Sequence, residues 1–380
     1  MRLLIVSTLD SDEPFGAYTR PFYLGMYLAQ HFEVCQLGLN CSNVDYARTV
    51  SVNQRNLGTY VKAVKEQIST FRPDIIYAQE TLPGTAALLA CQFGFQKQPA
   101  LVFDFHTLSA NEYWTRLSTS KDRLKEFKQF MKTYIAQGVL VASGKPIVAA
   151  GTPVVQGIQD WYGIHSDRIH CVKNGVPEDL LAVSNDIEDP FGPLRPAKIV
   201  VAIAPKTFQF PSNDMSADMT VDIAKQLEDY SEEIHFVIVG RTAKDVQAQR
   251  IPKNLSFAGF LPSRQDFVTH LQQADIGLLP FPREAVAGGA RNKALDYLAC
   301  GNLVVSTPEG IRGLEDFHDR QHLLVAEDDV EAIAHTLLDA CRNLSAYRHL
   351  RDTASQLVQR EYSWKAMADR LASILRSVQS

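Results

Sequence analysis

The sequence predicts an α/β protein of two doubly wound, Rossmann-like domains facing each other across a cleft. Three observations predict it: a length of 380 residues, an alternation of short apolar runs with longer amphipathic stretches, and a restart of that alternation near residue 197. A chain of this length exceeds one ordinary core and suits two. Continuous apolar strands between helices belong to parallel sheets covered on both faces.

In the first domain, Leu3 to Val6 reads as a buried strand, Pro21 to Gln30 as a helix and Val34 to Leu39 as a second strand. Leu57 to Phe71 reads as a helix, because Leu57, Val61, Val64 and Ile68 recur along one helical face. Further strands are expected at Pro73 to Ala78, Ala100 to Phe105, Gly138 to Ala142 and Ile169 to Val172, with helices at Ala86 to Phe93 and Val154 to Tyr162. Asn174-Gly175-Val176-Pro177 punctuates this unit, so the first domain is predicted to span 1–180. The acidic, proline-containing stretch 181–196 reads as a linker. The second domain, 197–362, has predicted strands at Lys198 to Ile203, His235 to Val239, Leu255 to Ala258, Asp275 to Leu279, Leu303 to Ser306 and Leu323 to Val325. Its helices are expected at Ala217 to Leu227, Phe267 to Gln273, Lys293 to Ala299 and Val330 to Asn343, and the stretch from Ser345 to the end reads as helical. Ligands of such folds bind beyond the carboxyl ends of the strands.

Composition narrows the function. Apolar residues make up 46% and charged residues 21%, a globular profile, and the net charge of -5 lacks the basic footprint of a nucleic-acid binder. The six cysteines form no C-x-x-C pair, which points to reduced thiols rather than a zinc site or a disulfide framework. The opening run Met1 to Ser7 is strand-length and lacks the features of a signal peptide, and no run reaches the roughly 20 apolar residues of a membrane span. A cytoplasmic location is the expectation.

The densest constellation is Glu284 to Gly301, EAVAGGARNKALDYLACG. Gly288 and Gly289 precede an amphipathic helix carrying Lys293 and Asp296. A glycine-rich loop at a helix amino end presents free N–H groups and partial positive charge to a phosphate. Lys293 in the first turn opposes the helix dipole, a misfit that a bound anion relieves. Asp296, three residues on, shares its face and suits ribose hydroxyls; the alternative is a solvated Lys–Asp pair. Lys206 and Arg241 follow predicted strands of the same domain, where they would neutralise a diphosphate or serve as surface charge. In the first domain Asp104 and His106 end a strand on the same side, so Asp104 would orient the imidazole and His106 bond a sugar or acceptor hydroxyl; a capped strand end is the alternative. Glu80 is an acceptor-side candidate, and Gly16 in EPFGAYTR would let a loop approach the phosphates. Asp10-Ser11-Asp12 reads as a loop start, and no metal site is expected. Arg116 to Gln137 interleaves lysines with Leu124, Phe127, Phe130 and Met131; it reads as a solvated amphipathic helix or as a surface helix for peripheral contact with anionic lipid.

The segment GGARNKALDYLACGNLVVSTPEGIRGL resembles the donor-site signature of retaining GT-B glycosyltransferases of family 4. Lys293, Tyr297, Ala299, Gly301, Val304, Val305 and Thr307 match its P-L-K-x-x-E-Y-x-A-x-G-x-P-V-V-x-T pattern, with Asp296 in place of the ribose-binding glutamate. Gly288 stands where many members carry a second glutamate that contacts the donor sugar, and Leu303 replaces the usual proline. PDIIYAQE, FDFH, VKNGVPEDLL, NLSFAGFLP, ADIGLLPF and EYSWKAMADRL resemble family segments in the expected order. The resemblance implies a retaining, metal-independent hexosyltransferase that needs no cofactor. It would move a sugar from a nucleotide-diphosphate sugar to a hydroxyl of a glycan, lipid or small-molecule acceptor. It also implies that a C-terminal helix within 363–380 packs back on the first domain. Two rival readings remain: a non-catalytic nucleotide-sugar-binding GT-B protein, which the missing glutamate favours, and a sugar-nucleotide epimerase, which lacks the K-x-x-[DE]-Y-x-A-x-G helix.

Overall fold

The structure, a computed structural model, describes residues 1–12, 18–92, 98–120, 122–165, 167–181, 188–206, 211–242, 251–285, 289 and 291–378. Its contacts divide the chain into two units, one of Met1–Gly175 with Trp364–Ser380 and one of Val176–Ser363.

The first unit is built on seven strands: β1 (Arg2–Val6), β2 (Glu33–Gly38), β3 (Arg48–Ser51), β4 (Ile75–Gln79), β5 (Ala100–Phe105), β6 (Ile147–Ala149) and β7 (Ile169–Cys171). Its helices are α1 (Thr19–Leu28), α2 (Leu57–Thr70), α3 (Thr81–Cys91), α4 (Ser109–Thr119), α5 (Arg123–Ala142) and α6 (Thr152–Tyr162). The second unit opens with the short α7 (Glu178–Leu181) and has strands β8 (Lys198–Ile203), β9 (Ile234–Val239), β10 (Leu255–Gly259), β11 (Ile276–Leu279), β12 (Leu303–Ser306) and β13 (Leu324–Val325). Its longer helices are α8 (Pro211–Gln226), α9 (Arg264–Gln273), α10 (Asn292–Ala299), α11 (Val330–Arg342) and α12 (Arg348–Glu361); the last helix, α13 (Trp364–Ser377), belongs to the first unit.

Every described strand pairing is parallel. The sheet orders are β3-β2-β1-β4-β5-β6-β7 and β10-β9-β8-β11-β12-β13. Both contain the doubly wound order 3-2-1-4-5-6, with the reversal between β1 and β4 in one unit and between β8 and β11 in the other. Alternate residues of each central strand feed separate apolar clusters on the two faces: Leu4 and Val6 of β1 join one, Leu3 and Ile5 the other. That two-sided burial is why these strands read as unbroken apolar runs. The C-terminal α13 packs on α1, with Trp364 stacked on Tyr23 at 5.9 Å and Met367, Leu371 and Leu375 in the first unit's core.

Three expectations need correction. Gly138 to Ala142 is not a strand but the last turn of α5; Leu140 and Val141 are buried while Val139 is exposed, and a five-residue apolar run cannot show this helical spacing by itself. The strand follows at β6. The stretch 188–196 is not a free linker: Phe191 enters the second unit's core and Arg195 bonds Asp189, Asp275 and the carbonyl of Gln273. The first division between units therefore falls after Gly175, ahead of the expected boundary at 180.

Candidate functional site

The second unit gathers charge at the carboxyl edge of its sheet. α10 begins there because Tyr297 clamps it to the strands: its hydroxyl accepts the N–H of Ile203 at 2.6 Å and its ring lies over Gly277, where any Cβ would collide with it. The N-cap of α10 is Arg291, whose side chain does not cap its amides, and its first turn carries no acid. Arg291 is buried, with its guanidinium 3.5 Å above the Phe281 ring, and it bonds the carbonyls of Ala285 and Glu309 and the Glu309 carboxylate. Burial pulls it down to about 10 in spite of Glu309.

Lys293 donates to Asn213 Oδ1 at 2.7 Å and lies 5.3 Å from the same Phe281 ring. Asn213 sits in the first turn of α8, so this bond brings the amino ends of α8 and α10 together. Burial, and then the charge of Arg291, lowers the Lys293 ammonium to about 7. Five residues along α8 from Asn213, Asp218 pairs with Lys206. Lys206 extends the edge of β8 by donating its N–H to the carbonyl of Arg241 at 2.9 Å, an approach made possible by Gly240, where a Cβ would meet the Pro205 backbone at 2.9 Å. The Arg241 side chain is exposed and lies 4.5 Å over the ring of Phe260. Asp296 is half-buried, and burial raises it to about 6, with Arg264 opposing the rise. No ion pair joins Lys293 to Asp296, so the solvated-pair alternative does not describe these residues. Gly289 is buried; Gly288, like Gly16 of the first unit, lies outside the described residues.

Of the three cations, Lys206 is paired with Asp218 and Arg291 with Glu309, while Lys293 joins the amino ends of α8 and α10, which carry partial positive charge of their own. Burial is the main cause that lowers Arg291 and Lys293, and a neighbouring anion would act in the opposite direction.

The first unit gathers Glu80, Asp104 and His106 at the ends of β4 and β5. Asp104 is fully buried and does not orient the imidazole, which corrects the expectation from spacing. Its carboxylate accepts from Arg20 at 2.9 and 3.3 Å and from the hydroxyl of Tyr77, whereas His106 Nε2 stands 3.8 Å away without a hydrogen-bond partner. Arg20 also bonds the carbonyls of Val172 and Lys173 and the side chain of Asn174. Glu80 is the residue that contacts His106: it accepts the backbone N–H of His106 at 2.9 Å and lies 3.5 Å from Nδ1. Burial pushes Glu80 up to about 8 and His106 down to about 4. Glu80 also has φ of 75°, a left-handed conformation that costs a side-chain-bearing residue on the order of 1–3 kcal/mol. Near neutrality this corner therefore holds a neutral imidazole beside a protonated carboxyl, a set suited to hydrogen-bonding hydroxyl groups.

Sequence reasoning missed Arg20, Tyr77, Asn213, Phe281 and Arg291. Arg291 carried the same signal as Lys293, a cation at a helix amino end. Arg20 carried none, since its partner lies 84 residues away.

Residues 44–180 match the family model described as Glycosyltransferase Family 4, and residues 207–343 the model described as Glycosyl transferases group 1. Among solved structures, the chain is similar to sucrose-phosphate synthase from Thermosynechococcus elongatus, at 13% identity and a TM-score of 0.77, covering 99% of this chain and 98% of that one. It is similar to HepE of Anabaena in complex with UDP and glucose, at 14% identity and a TM-score of 0.72, covering 99% of this chain and all of that one. It is also similar to WaaG, a glycosyltransferase involved in lipopolysaccharide biosynthesis, at 15% identity and a TM-score of 0.69, covering 99% of both chains. No curated protein matches the chain in sequence.

Proposed function

From the premise that the chain carries the paired domains of a GT-B glycosyltransferase, we propose that it transfers a sugar from a nucleotide-diphosphate sugar to a hydroxyl acceptor with retention of configuration. The observation that carries this reading is the Lys293–Asn213 bond, which joins two helix amino ends in the company of Lys206 and Arg291. In this reading the two helix amino ends and Lys293 receive the diphosphate, and Asp296, one turn on, takes the ribose hydroxyls. The HepE complexes with UDP, with UDP and glucose and with UDP-glucose favour a uridine nucleotide as the first donor to test.

In this reading the bond between the anomeric carbon and the diphosphate oxygen breaks while the acceptor oxygen attacks the same face. The acceptor's proton passes to the departing phosphate oxygen, so the charge left on the diphosphate is what the enzyme must stabilise. Lys206 and Lys293, with the helix dipoles, supply that stabilisation in place of a metal or cofactor. The pairing of Asp104 with Arg20 and Tyr77 favours retention without a covalent intermediate, because that carboxylate is not available as a nucleophile. His106 and Glu80 hold sugar or acceptor hydroxyls. Cytoplasmic action is favoured by six free cysteines. Among the described residues, no helix is long and apolar enough to cross a membrane.

Calorimetric titration of UDP and UDP-sugars into the wild type, Lys293→Ala and Asp296→Ala tests the donor site. Affinity is expected to fall about 10- to 100-fold in each variant, the loss of a charge-assisted contact. Unchanged affinity in both would remove this site, and binding without turnover across donors and acceptors would remove the activity.

A further inference from the structure

The structure assigns a second surface to this protein: we propose that the exposed face of α5, with Trp114 of α4 beside it, docks the first unit on an anionic lipid surface. Among the described residues, eleven large hydrophobic side chains are exposed, and six of them sit on these two helices: Trp114, Leu124, Phe127, Met131, Ile135 and Val139. The five on α5 recur every three or four residues, so they form a single stripe about 22 Å long at the rise of an α-helix. Patches of this kind on a soluble surface mark interaction sites rather than chance exposure.

The opposite face of α5 is already committed. Phe130, Gln137, Leu140 and Val141 are buried, and Phe130 stacks with Tyr134 and touches Trp161. The stripe is therefore surplus to folding. Trp114, with its ring 5.2 Å from Phe130, puts an indole at its edge, the side chain best suited to a headgroup boundary.

Charge decides the occupant. Arg123, Lys125, Lys128 and Lys132 are all exposed alongside the stripe, while Glu126 is half-buried and Asp122 caps the helix by accepting the N–H of Lys125 at 3.0 Å. A second copy of this helix would bring cation against cation. A sheet of anionic headgroups answers the lysines while its acyl boundary receives the apolar side chains, the binding mode of a basic amphipathic helix lying in the interface. The proposal rests on the first unit alone, and failure of the donor site would leave it standing.

Full-length protein is sedimented with vesicles of phosphatidylcholine and with vesicles of phosphatidylcholine and phosphatidylglycerol in equal parts, at low and high salt. Two triple variants accompany it, Lys125→Glu/Lys128→Glu/Lys132→Glu and Phe127→Ser/Met131→Ser/Ile135→Ser. All six positions are exposed, so both variants should melt with the wild type, and the comparison is made on folded protein. The wild type is expected to bind the anionic vesicles, to lose them at high salt and to ignore phosphatidylcholine; each variant should bind at least about tenfold more weakly, since one lysine near such a surface is worth about fivefold. Absence of wild-type binding to anionic vesicles would overturn the proposal. So would either variant binding like the wild type. A concentration-dependent dimer dissolved by the serine variant, with no vesicle binding, would assign the face to a second copy instead.

Discussion

The two strand-end clusters of this molecule solve opposite problems. In the first unit the buried carboxylate of Asp104 is saturated: Arg20 and Tyr77 take its oxygens, and Arg20 spends its remaining donors on the backbone ahead of Gly175. In the second unit Lys293 leans on one neutral amide, Asn213, at a place where the helix dipoles already repel it. One arrangement is finished by folding alone. The other sets a half-buried cation against a neutral amide. Neutralising a charge should therefore cost stability in the first unit and affinity in the second.

The largest effect that would break this contrast is on stability. Arg20→Met leaves the Asp104 carboxylate buried without its counter-charge, with only the Tyr77 hydroxyl bonded to it, and should cost about 3–5 kcal/mol, read from denaturant unfolding. A loss under about 1 kcal/mol would mean that the pair is not what closes the first unit. Next comes Lys293→Met, which keeps the volume and removes a desolvated charge. Its melting temperature should match or exceed that of the wild type while UDP affinity falls about 10- to 100-fold, and a melting point well below wild type would place Lys293 among the structural cations.

Smaller effects sharpen the comparison through pH. Glu80 is raised from an ordinary carboxylate to about 8, so between about 4.5 and 8 the folded chain keeps a proton that the unfolded chain has released. The stability this proton confers is complete below that window and drains away as pH rises through it. Glu80→Gln retains an acceptor for the His106 N–H, and should flatten that decline and gain about 1–2 kcal/mol at pH 8 in unfolding measurements. Lys293 has the opposite sign. Its folded value near 7 lies below the unfolded one, so stability rises with pH from about 7 to 10.5. A bound diphosphate raises it again; at pH 8 nucleotide binding should take up a fraction of a proton, measured by calorimetry in buffers of differing ionisation heat, and Lys293→Met should abolish that uptake.

The amino-acid sequence by itself determined the layered fold and the helix that carries the candidate donor-site residues. Buried parallel strands must be apolar on both faces, and α10 announces itself through Lys293, Asp296, Tyr297 and Gly301 within ten residues. These are local properties, carried by neighbours along the chain. Tertiary structure decided the rest because it turned on partners far apart in sequence. Asp104 and His106 stand two residues apart, yet Arg20, 84 residues from Asp104, settles that Asp104 is a structural anchor and not the orienter of the histidine. Likewise Asn213 takes up Lys293 from 80 residues away, and Gly138 to Ala142 became helix through burial against the first unit's core. A side chain's charge is written in its own residue, but its desolvation and its partner come from whatever the fold brings against it.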